Sequence, residues 1–529
     1  MNFIEASIFI LLIAILFVPL ATRFRLPLEI FLFLGSCIIS LMPGLPVINI
    51  SPIVVFDLFL PPILFSAAYF TSWRDFKFNL RPISQLAIGL VIFTTLTVAL
   101  AVKYLLPDFT WSEAFLFGAI VSPTDASAAT SIVKKLGVPR RFIVLLEGES
   151  LVNDATALIL YRFSLAAILF GAFSMSQAVI QFFSMAIGGA AIGLLTAIFA
   201  EKVLQQLKDF KAETTFTVVT AYMTYLLAEH LGFSSVISTV VGGMYFGIRF
   251  PEIASSKTNV SAKASWGTLM FVINGFVFTL IGFELPIVIK NLGNYSIFSL
   301  VCYGLAISAV VIGVRMIWLF PSAYIPRLLF PSIARKDPMP PWEFLAAFGW
   351  AGMRGILSLA AVLAIPHTLP SGAPFPNQDI LIFLTYCVIV TTLITPAIIL
   401  PPLIKWLRLT EVDDRVREEA NARIRAFEEV IKSIEQIKMK EKIPDKVVTE
   451  FCDQVQRKLK VIRTQLEETP YSMLYDDYFA LKKLTIRALE AERKTLLKLR
   501  RSGEIRDEIF HNLLDELDIE EVRARSLRV

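Results

Sequence analysis

The chain has 529 residues, of which 55% are hydrophobic and 18% are charged, and its formal net charge is +5. Its mean hydropathy of +0.65 excludes an ordinary soluble globular protein. The four cysteines (Cys37, Cys302, Cys387 and Cys452) are scattered, which excludes a disulfide framework and a CxxC metal site. We expect no bound cofactor and no nucleic-acid partner.

Apolar runs of about 20 residues recur almost to residue 410, and each is long enough to cross a bilayer as a helix. The first run, within MNFIEASIFILLIAILFVPLATRFR, lacks a basic leading segment and a cleavage site, so it predicts a retained helix rather than a signal peptide. We predict about 13 spans, with ends uncertain by ~2–4 residues. They cover approximately 5–22, 27–43, 50–70, 83–106, 112–133, 142–168, 174–200, 213–231, 234–248, 264–290, 296–320, 342–366 and 378–406.

Lysines and arginines concentrate in alternate connections between these spans. The basic connections include 74–81 and 134–141, whereas the opposite ones carry Lys103 and Lys290. Because basic loops stay in the cytoplasm, this alternation predicts an outside N-terminus and a cytoplasmic C-terminal tail. We expect a multi-pass protein of the plasma membrane or bacterial inner membrane.

The composition changes abruptly near residue 411, where charged residues become frequent. This predicts a transmembrane domain at 1–410 and a cytoplasmic helical domain at 411–529. Apolar residues from Val416 to Ile434 recur at helical spacing and need a partner. The tail then regulates activity or reinforces a dimer, or it is a solvated appendage without effect on transport.

Several charged residues fall deep inside predicted spans. Asp125, Asp154 and Arg354 each lie about 12 residues into a span, roughly 18 Å from its start and near the bilayer midplane. Intramembrane charges of this kind usually have a function. Arg162 and Arg315 are predicted nearer the far interface, where long side chains reach the headgroups.

Two spans carry residues that interrupt helices. Span 5 contains SPTDASAAT, with Pro123, and span 12 contains FGWAGMRGILSLAA, with three glycines around Arg354. They are seven spans apart, as expected if spans 1–6 and 8–13 are two inverted structural repeats. Paired interrupted helices indicate a midplane binding site, where Asp125 and Arg354 could offset the partial charges of the helix ends.

Span 6 contains EGESLVNDATALILY. Ser150, Asn153 and Asp154 share one helix face, and their oxygens suit a hard monovalent cation. Asp154 could instead hold a proton, because burial disfavours its charged form.

We interpret Glu149 and Arg354 as a buried ion pair. Glu229, like Asp57 and Glu284, is a weaker candidate nearer an interface, and for Asp125 charge compensation and direct ligation stay open.

The motifs GESLVNDATALILY, SPTDASAAT, AEHLGFSSVISTVVGGMYFG and FGWAGMRGILSLAAVLAIP resemble those of the monovalent cation:proton antiporter family of sodium/proton exchangers. The similarity covers residues 5–408. It implies an all-α polytopic membrane protein with about 13 transmembrane helices in two inverted repeats. It also implies a homodimer that exchanges one Na⁺ or Li⁺ for one H⁺ without net charge transfer.

The resemblance also implies roles for residues. The ion-binding carboxylate falls on Asp154, supported by Asn153, with further cation ligands at Ser150 and Thr124. The structural charged residues fall on Asp125, Glu149 and Arg354. The chain departs from the family pattern at Ser66, where some members have an acidic residue, and at Ala126, where proline is common.

These departures leave the transported ion open between Na⁺ and K⁺. A proton-coupled symporter that binds an organic anion through Arg354 is an alternative within transport. An intramembrane aspartyl hydrolase using Asp125 and Asp154 is an alternative from another class, although neither residue lies in a protease motif. Apart from its monovalent cation and proton, the expected partners are the lipid bilayer and a second copy of the chain.

Overall fold

A computed structural model describes residues 3–24, 27–42, 55–171, 175–292, 296–409, 413–441, 444–467, 472–502 and 507–526. Within these ranges the secondary structure is helical, with two isolated β-bridges. The chain divides into two compact units, 1–410 and 411–529. Residues 50–54 of the third predicted span, and the predicted boundary at 410–411, lie outside the described residues.

The first unit is a set of helices, several of them separated by short connections. They are Phe3–Phe24 (α1), Leu28–Ser40 (α2), Leu60–Phe70 (α3), Trp73–Phe78 (α4), Leu80–Leu105 (α5), Trp111–Val121 (α6), Ala126–Leu136 (α7), Arg140–Phe170 (α8), Met175–Leu204 (α9), Phe210–His230 (α10), Ser235–Ile253 (α11), Ser256–Asn291 (α12), Ile297–Leu329 (α13), Pro331–Lys336 (α14), Trp342–Trp350 (α15), Ile356–Leu363 (α16) and Gln378–Trp406 (α17). A π-helical turn, Val55–Phe59, precedes α3, and another, Gln85–Leu90, lies within α5.

Six helices in the described part of the chain are long and apolar enough to cross a membrane, judged by length and composition. They are α1, α5, α9, α12, α13 and α17. The prediction of an all-α polytopic membrane protein is confirmed. The count of 13 spans and the inverted repeats stay predictions.

Polar residues begin many of these helices by accepting hydrogen bonds from otherwise unpaired amides. At the start of α6, the hydroxyl of Thr110 accepts from the amide of Glu113 at 3.3 Å. The Glu113 carboxylate accepts from the amide of Thr110 at 2.5 Å, which completes a capping box. The far end of α7 is closed by Gly137, whose φ of 67° favours glycine.

Glycines allow several helices to approach each other closely. A Cβ atom added at Gly193 in α9 would lie 2.1 Å from the carbonyl O of Ser238 in α11. A Cβ added at Gly247 in α11 would lie 2.3 Å from the carbonyl O of Tyr69 in α3. Helix packing without side chains between the backbones is common in membrane proteins, and here it joins α9, α11 and α3.

The described part of the second unit contains four helices. They are Asp413–Glu441 (α18), Asp445–Glu467 (α19), Ser472–Arg501 (α20) and Asp507–Ser526 (α21). Leu489, Leu496, Phe510 and Leu517 form a small buried cluster between α20 and α21. Arg463 of α19 pairs with Glu428 of α18. The tail is therefore helical, and its regulatory role stays a prediction.

The close contact at Gly193 predicts the effect of adding a side chain there. Gly193→Val should lower the stability of the purified protein by about 1–3 kcal/mol, because the new carbons collide with a backbone carbonyl. Thermal unfolding in detergent measures this. Gly313→Val is the matched control, since a Cβ at Gly313 meets no atom within 4 Å. Equal melting temperatures for the two variants would contradict the prediction.

Candidate functional site

Two interrupted helices meet in the centre of the first unit. The gap between α6 and α7 covers 122–125, and the gap between α15 and α16 covers 351–355. The amide N of Asp125 donates to the carbonyl O of Met353 at 2.8 Å, so the two gaps lie side by side in antiparallel pairing. The prediction that spans 5 and 12 are interrupted is confirmed.

Gly355 makes this crossing sterically possible. A Cβ atom at position 355 would lie 2.1 Å from Oδ2 of Asp125 and 2.6 Å from its Cβ. From sequence, the glycines of this segment are expected to weaken the helix. The structure adds a second reason, since glycine leaves room for the Asp125 side chain.

Charged side chains offset the partial charges at the ends of the broken helices. Oδ1 of Asp125 accepts from the amide N of Ser127 at 2.8 Å, which places a carboxylate at the N-terminus of α7. Nε of Arg354 donates to the carbonyl O of Val121 at 3.1 Å, and Nη1 donates to the carbonyl O of Gly352 at 2.9 Å. Arg354 thus places its positive charge beside the carboxyl ends of α6 and α15.

The predicted ion pair between Glu149 and Arg354 is wrong, because the partner of Glu149 is Arg315. Both terminal nitrogens of the Arg315 guanidinium donate to the Glu149 carboxylate, Nη2 at 2.9 Å and Nη1 by a shorter contact. The two side chains are 2% exposed or less, which makes this a fully buried pair. The Arg315 guanidinium also lies over the ring of Phe348, 5.2 Å from its centroid.

The prediction that Arg315 reaches an interface is also wrong, because the predicted span was shorter than the helix in the structure. The predicted span ended near residue 320, whereas α13 continues to Leu329, so Arg315 lies in its middle. Gly352 leaves room for the arginine, since a Cβ there would lie 2.5 Å from Cδ of Arg315. Sequence spacing along one span could not show this contact between distant helices.

A chain of hydrogen bonds extends from this ion pair to the crossing. Oγ1 of Thr124 donates to Oε1 of Glu149 at 2.8 Å. Nδ2 of Asn153 donates to Oγ1 of Thr124 at 2.8 Å and to its carbonyl O at 3.2 Å. Thr124 and Asn153 are therefore in direct contact with each other, and Thr124 also with Glu149. Their direct role in ion binding stays a prediction.

A cavity of about 510 Å³ lies beside the crossing and is bordered by α3, α7, α8, α12 and α16. Asp154 lines it and is partly exposed to it. Within the described ranges, no side chain or backbone group forms a hydrogen bond or an ion pair with the Asp154 carboxylate. The other polar lining residues include Ser66, Thr124, Asp125, Ser150, Asn274 and Ser358.

The cavity continues along α8 toward an exposed ion pair. Nζ of Lys134 lies 2.9 Å from Oε1 of Glu147, and their side chains are 57% and 32% exposed. Both residues line the cavity. Glu147 lies seven residues before Asp154, on the same helix face and about 10 Å along the axis. Lys134 and Glu147 therefore mark the mouth, with Asp154 deeper inside.

The candidate site residues do not all meet at this cavity. Ser150 lines it, and its Oγ accepts from the amide N of Ala126 at 3.3 Å. Ser66 lines it as well, with its hydroxyl donating to the carbonyl O of Ile63 at 3.1 Å. Glu229 does not line it, and its carboxylate lies 3.6 Å from Arg162.

Sequence reasoning missed several polar residues of the cavity wall. Asn274 comes from α12, which carries no recognised motif. Thr130 and Ser358 also line the cavity, and their buried hydroxyls have no partner in the part of the chain that the structure describes. Uncharged residues such as these give no intramembrane charge signal, so the sequence did not distinguish them from helix-packing residues.

Comparisons with known proteins agree that the chain is similar to cation/proton exchangers. Residues 8–406 match the family described as sodium/hydrogen exchanger, transmembrane. The chain is 30% identical over 499 residues to the uncharacterised Na⁺/H⁺ exchanger YjcE of Escherichia coli K12, with 89% of each chain covered. It is 31% identical over 381 residues to the sodium, potassium, lithium and rubidium/H⁺ antiporter of Bacillus pumilus, covering 70% of this chain and 56% of that protein.

A solved structure shows the same fold. The sodium proton antiporter MjNhaP1 of Methanocaldococcus jannaschii superposes with a TM-score of 0.61 at 19% sequence identity. The match covers 78% of this chain and 100% of that one. At this sequence identity the similarity shows the fold but does not identify the transported ion.

The buried ion pair predicts a large effect of removing one partner. Glu149→Gln should lower stability by about 3–5 kcal/mol, because it leaves the Arg315 guanidinium buried without a counter-charge. Thermal unfolding of the purified protein measures the loss. The double variant Glu149→Gln/Arg315→Met should recover much of it, since no unpaired charge remains. A single variant as stable as the wild type would contradict the assignment.

Proposed function

The chain belongs to the sodium/hydrogen exchanger family, and from that premise we propose that it exchanges Na⁺ or Li⁺ for H⁺ at Asp154. Members of this family are transporters, so the alternative of an intramembrane aspartyl hydrolase is wrong. The observation that carries the proposal is the Asp154 carboxylate. It lines the cavity, and no described residue neutralises it by a hydrogen bond or an ion pair.

The chemistry follows from that unpaired carboxylate. A carboxylate in a low-dielectric site needs a counter-charge, and a cation or a proton can supply it. Binding of one displaces the other, so a site that faces the two sides of the membrane in turn exchanges them. The hydroxyl of Ser150, on the same face of α8, and the carbonyl of Thr124 complete the proposed cation ligands.

The stoichiometry of one cation for one proton is supported by how the other carboxylates are engaged. Asp125 caps α7, Glu149 pairs with Arg315, and Glu147 pairs with Lys134. Asp154 is thus the lining carboxylate left to carry a proton. One-for-one exchange moves no net charge, so the membrane potential, worth about 2.3 kcal/mol per charge per 100 mV, does not drive it.

Potassium is the second candidate ion, and Ser66 favours it. This position lines the cavity but adds no carboxylate, so the proposed site has a lower negative charge than an acidic residue would give. The Bacillus pumilus relative is named for sodium, potassium, lithium and rubidium.

Nothing favours organic-anion symport through Arg354, whose side chain is 1% exposed and bonds to backbone carbonyls.

The orientation and assembly belong to the same proposal. The cavity mouth lies beside the last turn of α7, which carries Lys134 and Lys135, and this basic end supports an opening toward the cytoplasm. The outside N-terminus, the cytoplasmic tail and a location in the cell membrane follow from this orientation. The proposed working form is a homodimer.

The central test replaces the proposed ion-binding carboxylate. Asp154→Asn should abolish cation-driven proton movement in reconstituted vesicles, because an amide neither carries the charge nor takes up the proton. A pH-sensitive dye inside acid-loaded vesicles reports the exchange. Asp108→Asn, in an exposed turn outside the cavity, is the matched control and should keep wild-type rates. Retained exchange by a folded Asp154→Asn protein would refute the site assignment.

A second test concerns the choice of ion. Ser66→Asp should lower the apparent KM for Na⁺ by about tenfold, which corresponds to ~1.4 kcal/mol, and should raise the preference for Na⁺ over K⁺. The added carboxylate raises the negative charge of the cavity. Exchange is compared with Na⁺, Li⁺ and K⁺ in turn, and Ser66→Asn is the uncharged control. An unchanged ion preference in Ser66→Asp would show that this position does not set selectivity.

A further inference from the structure

A cluster of three arginines surrounds one carboxylate at an end of the membrane helices, away from the ion cavity. Nη2 of Arg81 and Nη2 of Arg327 each donate to Oδ2 of Asp337 at 2.6 Å, and Nη2 of Arg141 donates to Oδ1 at 2.7 Å. The arginines come from the start of α5, the start of α8 and the end of α13. Asp337 follows α14. We name this group the arginine cluster.

The arginine cluster carries more positive charge than its carboxylate can balance. Three guanidiniums face one Asp337 side chain, which leaves an excess of two positive charges. The charged groups that act on Arg327 are Asp337, Arg81 and Arg141. The nearby Asp75 lies 2.5 Å from Arg140 and is engaged there.

The arginine cluster also has unused donors. Nη1 of Arg81 and Nε of Arg141 are buried and have no hydrogen-bond partner within the described ranges. Arg327 is almost fully buried, with 3% of its side chain exposed, whereas Arg81 and Arg141 are 29% and 31% exposed. The two unpartnered nitrogens are themselves buried, but an anion can reach the exposed parts of Arg81 and Arg141 from outside. Asp337 holds both guanidiniums in place.

A small apolar pocket of about 40 Å³ adjoins the arginine cluster. Arg141 and Arg327 line it, and its other lining residues are mostly apolar and include Leu86, Leu145 and Phe344. Guanidiniums beside an apolar surface, at the ends of membrane helices, match a ligand with an anionic head and an apolar body. Planar guanidiniums bind phosphate oxygens in pairs, and basic pockets between membrane helices bind anionic headgroups.

We propose that the arginine cluster binds the phosphodiester headgroup of an anionic phospholipid, with Arg81 and Arg141 as the contacting residues. The headgroup balances the excess charge, and the first carbons of the lipid lie against the apolar pocket. A zwitterionic lipid fits less well because its own ammonium already neutralises the phosphate. Bound lipid would join α5, α8 and α13, and α8 and α13 carry Asp154 and Arg315.

The test measures thermal stability of the full-length purified protein in detergent while phosphatidylglycerol is titrated. Phosphatidylcholine and inorganic phosphate are titrated in parallel. We expect phosphatidylglycerol to raise the melting temperature of the wild type more than either. In the double variant Arg81→Gln/Arg141→Gln, the phosphatidylglycerol concentration that gives half of the full stabilisation should rise about fivefold for each arginine removed. Arg140→Gln, which removes a neighbouring arginine outside the cluster, should behave as the wild type.

Three outcomes would overturn the proposal. They are equal protection by phosphatidylcholine, equal protection by inorganic phosphate, and undiminished protection of the double variant. If the double variant does not fold, the single variants Arg81→Gln and Arg141→Gln decide. Each removes one contacting guanidinium and leaves Asp337 with its other arginines, so each should need about fivefold more phosphatidylglycerol for half-saturation than the wild type. Half-saturation at the wild-type concentration in both single variants would refute the proposal.

Discussion

The buried ion pair between Glu149 and Arg315 is the interaction on which the centre of this protein depends. It joins α8 to α13 where water is excluded, and Thr124 links the same carboxylate to the crossing of the interrupted helices. A charge in such a place is tolerated only with its partner, since an unpaired one costs several kcal/mol. The pair therefore fixes α8 in the register that turns Asp154 toward the cavity.

Around this pair, the charged side chains of the crossing are engaged by other groups of the protein. Asp125 and Arg354 compensate helix ends, and Asn153 holds Thr124. Asp154 differs, since no described residue forms a hydrogen bond or an ion pair with its carboxylate. A purely structural carboxylate would be satisfied by its neighbours, whereas one that receives a mobile ion, as proposed for Asp154, has to remain available.

Much of this arrangement could be predicted from sequence because it depends on local signals. Pro123 and the glycines near Arg354 predicted two interrupted helices, and the spacing of Ser150, Asn153 and Asp154 placed them on one face of a helix. The pairing of Glu149 was predicted wrongly because it joins residues far apart in sequence. Arg354 was chosen as the partner because Arg315 was expected near an interface, and only the three-dimensional packing, with α13 longer than expected, places Arg315 beside Glu149. Asn274 and Ser358 gave no charge signal at all.

The bond between Asp125 and Met353 restricts how the protein can change shape. Separating the two segments would leave a buried amide and a buried carbonyl without their partners, which disfavours independent movement of the interrupted helices. α8 and α13 are joined to the same crossing by side chains, so a displacement of the crossing would carry Asp154 with it. We infer that such a displacement would occur where these helices meet α3 and α12, which contribute Ser66 and Asn274 to the cavity. If Asp154 binds the ion as proposed, a substitution on this surface can alter both the transport rate and the ion preference.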